Sequence, residues 1–154
     1  MKTNRFLSLL LLLWALISLP GQIVLAEMSG EDPKDILIVA NRGVSVDEIS
    51  LKQLKSIFLK TRASWKGGGK AVPIHARVGT EIRDDFVTQV LGLDHIGEQA
   101  YWQEVMVKAA VKPPPAFSNP LKAVFNLRGS VGYVYRADYR PGVVKILLVV
   151  PHSK

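Results

Sequence analysis

The chain contains no cysteine, which excludes disulfides, thiolate metal ligands, cysteine nucleophiles and lipid attachment at an N-terminal cysteine. Histidine is sparse as well: His75, His95 and His152 stand far apart and lack the spacing of a metal-ligand set. No serine-nucleophile motif occurs. The adjacent Asp84 and Asp85 would diverge by about 100° on a helix of 3.6 residues per turn, too far for a paired-carboxylate mechanism. Enzymatic chemistry is therefore disfavoured, and neither a catalytic residue, a metal nor a cofactor is expected. After the first 26 residues no stretch reaches the roughly 18 consecutive apolar residues of a membrane span.

What is present begins with a tripartite leader. Lys2 and Arg5 precede an apolar run from Phe6 to Leu19, with Leu9–Leu13 unbroken, and Val24-Leu25-Ala26 supplies the small residues of a cleavage site. The run is too short for a stable span, so residues 1–26 are expected to be a signal peptide removed before Glu27. An exported chain without disulfides or a lipid anchor is expected in a Gram-negative periplasm, with release into the medium as the alternative. The formal net charge of +7 includes Lys2 and Arg5, and the remaining basic residues are scattered. This excess reads as a solvated basic surface, with a dedicated polyanion site as the other reading; no aromatic-basic motif points to nucleic acid.

Residues 27–34 are polar and are expected to form a flexible leader to one domain over residues 35–150, followed by a tail, 151–154. Ile36–Ala40 is a continuous apolar run, the pattern of a strand buried on both faces. Ser50 and Gln53 spell a capping box, with Leu51, Leu54, Ile57 and Phe58 on the apolar face of the helix that follows. The three glycines in residues 61–70 argue for a flexible connector over a phosphate cradle, because Lys70 leads into a strand instead of opening a helix. Asp94 caps a third helix to about Lys108 with Tyr101, Trp102 and Val105 in its core face, and Pro113–Pro115 forces an extended crossing. Asn119-Pro120 starts a short helix with Leu121, Val124 and Phe125 inward. Two strands, Val131–Tyr135 and Val143–Val150, are separated by an Asp138/Pro141-Gly142 turn. Strands alternating with helices predict an α/β domain with a mixed β-sheet flanked by helices.

The segment 71–91 predicts a short strand, a tight turn at Gly79 and a helix starting at Thr80 with Ile82, Phe86, Val87, Val90 and Leu91 on one side. The first N–H groups of such a helix lack intrahelical partners and carry the positive end of its dipole, so they can hold a small oxyanion. The same Gly-Thr step is also an ordinary helix start.

Four stretches taken in order carry a resemblance: Ile36-Leu-Ile-Val-Ala-Asn41, Leu54-Lys-Ser-Ile-Phe-Leu59 with its trailing Trp65, Val72-Pro-Ile through Gly79-Thr80 to Phe86, and Gly129-Ser-Val-Gly-Tyr-Val134. Together they resemble one lobe of the periplasmic phosphate-binding proteins of ABC transporters, over about residues 35–150. The resemblance implies a single periplasmic-binding-protein-like lobe and an oxyanion, phosphate or similar, held by Gly79 and Thr80. Val78 stands where the family has a serine, Arg77 or Arg83 would supply the cation, and Glu81 adds an opposing charge. The family's N-terminal lobe segment has no counterpart before Ile36. Two functions follow from the resemblance: a solute-binding protein that works with a membrane permease, or an accessory with a degraded site that contacts a membrane sensor or transporter. The leader makes a direct prediction, checked by intact-mass analysis of protein from a periplasmic extract: the mature chain begins at Glu27, not Met1.

Overall fold

A computed structural model describes residues 31–153; the signal-peptide reading of residues 1–26 lies outside them. Along these residues run β1 (Ile36–Ala40), α1 (Leu51–Phe58), β2 (Val72–Pro73), β3 (His75–Ala76), α2 (Glu81–Phe86), α3 (His95–Ala109), β4 (Ala116–Phe117), α4 (Pro120–Asn126), β5 (Ser130–Tyr135) and β6 (Lys145–Val150). A π-helical turn, Val87–Leu91, extends α2 and ends at left-handed Gly92 (φ 66°). The main sheet has the order β2-β5-β1-β6, with β1 antiparallel to β5 and β6 and β2 parallel to β5. It is a mixed sheet with helices on both faces.

Alternation along β1 builds both layers. Ile36, Ile38 and Ala40 join Leu54, Ile57, Phe58, Phe86 and Leu91 from α1 and α2 on one side. Leu37 and Val39 join Ala123 and Val124 of α4 on the other. Fully buried side chains of this size contribute about 1.5–3 kcal/mol each, and β1 is buried along its whole length. The capping box forms as the sequence predicts: Gln53 N–H donates to Ser50 Oγ (3.3 Å) and Ser50 N–H to Gln53 Oε1 (3.1 Å).

Several expectations change in detail. Residues 71–77 do not form one strand, because the chain changes sheets at Ile74. Val72–Pro73 pairs with β5, whereas His75–Ala76 pairs in parallel with Ala116–Phe117 of the crossing segment. The glycine loop is a tight hairpin: Ser64 and Lys70 are bridged, Trp65 N–H donates to Gly69 O (3.0 Å), and Gly68 and Gly69 take positive φ. Phe125 is 53% exposed, since the buried arc of α4 centres on Ala123 and Val124 and turns position 125 outward. Leu51, on the first turn of α1, is likewise exposed.

Two buried polar groups shape the layer under α1 and α2. Tyr133 stacks on Phe86 (centroids 3.7 Å apart, planes at 3°), and its hydroxyl accepts from Ala76 N–H (3.1 Å) and meets His75 Nδ1 at 3.0 Å. Burial raises the Tyr133 hydroxyl to about 12, so it stays protonated. Burial also pushes His75 well below its ordinary 6.5, helped by the Arg83 and Lys60 charges. The imidazole is therefore neutral, and Nδ1 can accept the Tyr133 proton. Farther out, α3 buries only Glu98 and Trp102, and Glu98 Oε1 accepts from Arg83 Nη2 at 2.5 Å with both side chains about nine-tenths covered.

Both arrangements predict stability effects. A native His75 pKa below 6.5 means that the unfolded chain takes up the proton first as pH falls. Stability is then undiminished above about pH 6.5 and declines below it by up to about 1.4 kcal/mol per pH unit. Urea unfolding across pH 5–8 should show this slope, and His75→Asn should flatten it. Glu98→Ala leaves a buried guanidinium unpaired and should cost about 3–5 kcal/mol, whereas the double change Arg83→Met with Glu98→Leu should cost far less.

Candidate anion site

Gly79 takes φ 79° and turns the chain from β3 into α2. Thr80 sits at the cap position with extended backbone, yet its hydroxyl does not cap the helix; it donates back to Arg77 O (2.7 Å). Arg83 and Asp84 N–H groups donate to Thr80 O, which leaves Glu81 N–H and Ile82 N–H without an acceptor among the described residues. Three residues before Pro120, Phe117 closes the β3–β4 pair and brings the start of α4 alongside. There Asn119 Oδ1 accepts from Lys122 N–H (2.9 Å), so this helix supplies its own cap.

The two helix starts open into one cleft of ≈ 470 Å³, walled by Thr80, Ile82, Asn119, Leu121 and the C-terminal half of β5, Tyr133 to Tyr135. Arg77 and Arg140 enter it as cations and Asp138 as an anion, and among the described residues neither arginine is in an ion pair. Glu81 is paired with Lys34 (2.5 Å), whose hydrogen bond holds the carboxyl below its usual range and offsets its charge at the helix start. Tyr135 donates its hydroxyl to Asp85 Oδ2 (2.6 Å). Burial, then that carboxylate, raise its pKa far above the ordinary value.

Of the residues singled out from the sequence, Arg77 and Thr80 line the cleft and Gly79 forms the turn beside it. Val78 is 64% exposed and is not among the lining residues, and Arg83 lies in the core with Glu98. Arg140, Asp138 and Tyr133 join the cleft from the far end of the chain, and sequence reasoning did not find them. The one available signal was Asn119-Pro120, which marks a second helix start without saying where it points. Among the described residues no three His, Asp or Glu side chains are grouped to hold a metal, and no helix is long and apolar enough to cross a membrane.

No protein-family model and no curated protein sequence matches the chain. Solved structures do. An ABC-type phosphate transport receptor from Vibrio cholerae aligns over 75% of this chain with a TM-score of 0.58 and 17% identity. A substrate-binding protein assigned to a phosphate ABC transporter of Clostridium perfringens, with bound phosphate, aligns over 75% (TM-score 0.56, 19% identity). PstS from Borrelia burgdorferi aligns over 73% (TM-score 0.54, 14% identity). The chain spans 46%, 45% and 46% of these three structures respectively, less than half of each. The domain therefore has the α/β fold of one lobe of phosphate-receptor structures.

Proposed function

We propose that this chain is an exported solute-binding protein that holds phosphate or a similar small oxyanion where α2 begins. The observation that carries the proposal is that the start of α2, whose Glu81 and Ile82 N–H groups are unpaired, borders a cleft lined by Arg77 and Arg140 against the single carboxylate of Asp138. Backbone donors at the positive end of a helix and two cations form a charge-assisted shell for an oxyanion without proton or covalent chemistry. The lobe-like fold shared with phosphate receptors supports this reading. A periplasmic location and a permease partner belong to the same proposal.

A second reading, an accessory that contacts a membrane sensor or transporter, draws on the exposed Val78 and on the Thr80 hydroxyl being already bonded to Arg77 O. Calorimetric titration with inorganic phosphate at fixed ionic strength, with sulfate and chloride as controls, separates the two. Arg77→Gln or Arg140→Gln should weaken phosphate binding by about 1.5–3 kcal/mol, the worth of a hydrogen bond to a charged group. Val78→Ser should change it by less than about 0.5 kcal/mol, as expected of a surface substitution outside the cleft. Folded wild-type protein that takes up no phosphate at millimolar concentration would rule out the binding role and favour the accessory.

A further inference from the structure

A second cationic cleft lies at the opposite end of β5. Three loops meet there: the one after β1, the glycine hairpin and the turn that precedes β5. Asn41 Nδ2 donates to Val124 O (3.1 Å) and Phe125 O (2.8 Å) at the end of α4, and Trp65 Nε1 donates to Gly129 O (3.0 Å), which ties the glycine hairpin to the turn before β5. Glycine permits the closeness. A Cβ at position 67 would come within 2.5 Å of Ser45 Oγ, and one at position 129 within 2.5 Å of Lys70 O.

The open cleft measures ≈ 380 Å³ and is lined by glycine backbone together with Ser45, Lys70 and Arg128. The N–H groups of Ser45, Gly69 and Gly129 have no acceptor among the described residues. Lys70 and Arg128 are exposed and in no ion pair among those residues. The carboxylate of Asp47, on the loop after β1, is already taken by Lys145 at 2.9 Å. Glu48 follows it and lines two other clefts beside Lys66, not this one. The apolar walls, Val44 and Trp65, are both 4% exposed, so they leave little room for a fatty or aromatic ligand.

Unpaired backbone N–H groups on glycine-rich turns and two lining cations suit an anion carrying more than one phosphate charge. We infer that this glycine-floored cleft is a second anion site, distinct from the one at α2, that binds a pyrophosphate-type group either free in solution or as the headgroup of a lipid. It realises the polyanion reading of the basic charge at one place on the surface.

The test titrates the purified protein with pyrophosphate by calorimetry and pellets it with phosphatidylcholine vesicles, plain or doped with a prenyl pyrophosphate. Wild type, the double variant Lys70→Gln with Arg128→Gln, and Arg77→Gln are compared, with circular dichroism as the check on folding. The double variant should raise the pyrophosphate Kd at least about tenfold, from the loss of two charge-assisted contacts, while Arg77→Gln leaves it unchanged. Pelleting with doped vesicles that the double variant abolishes, without binding of free pyrophosphate, assigns the site to a lipid headgroup. Equal binding by the double variant overturns the inference, as does equal weakening by all variants, pelleting with plain vesicles, or the absence of both pyrophosphate binding at millimolar concentration and pelleting with doped vesicles. Because the first cleft is read by Arg77→Gln and inorganic phosphate, failure at either site is recognised separately.

Discussion

The hydroxyl of Tyr133 is buried in an aromatic core and must be satisfied there, and much of the domain is arranged to do so. A hydroxyl without a partner in such a place costs several kcal/mol. Here it takes the Ala76 N–H and shares a proton with His75, two residues that the short β3 strand delivers. The change of sheet at Ile74 places both residues within reach of that hydroxyl. It also fixes the direction in which the chain runs on, through Arg77 and Gly79 into α2, so the position of the candidate site follows from a requirement of the core. On the opposite face of β5, Gly132 admits Val124: a Cβ there would lie 2.7 Å from Val124 Cγ2. The ring on one side and the missing side chain on the other let α2 and α4 both approach β5 closely, which brings their starts into one cleft.

The charges follow a related division. Arg83 is spent within the protein, holding Glu98 and with it the third helix, while Arg77, Arg140, Lys70 and Arg128 face outward without carboxylate partners among the described residues. Placing an arginine in the core carries a desolvation penalty that a single carboxylate only offsets. Its role is to fix where the helix docks, in contrast to the outward arginines, whose donors are available to a ligand.

What could be read from the sequence was what depends on near neighbours or on one period. The Ser50/Gln53 box, the Asp94 and Asn119 caps and the two-sided burial of Ile36–Ala40 each need only a few consecutive residues to be recognised. The change of sheet at Ile74 could not be read, because Val72 to Ala76 is short enough to read as one strand and its split depends on Ala116 and Phe117, some forty residues later. Arg140 and Asp138 escaped for the same reason: nothing local distinguishes a turn that faces a cleft from one that faces solvent. Arg83 misled in the opposite sense. Its place near the helix start suggests a ligand contact, but its side chain packs into the core, where Glu98 of α3 meets it. The glycine hairpin was read by composition as a connector, although glycines at positive φ also make tight, well-bonded turns.

The central strand has a further consequence. Both neighbours of β1 come from the last quarter of the chain, since Ile36 pairs with Tyr135 and with Val150. The five consecutive apolar residues of β1 therefore have no sheet partners until residues about a hundred positions later are available. Contacts this distant in sequence are slow to form, and the exposed strand is prone to pair wrongly in the meantime. A chain cut before residue 130 would carry a sticky ribbon that only β5 and β6 can cover, which makes the arrival of those two strands, more than any local helix, the event that commits this domain to its native topology.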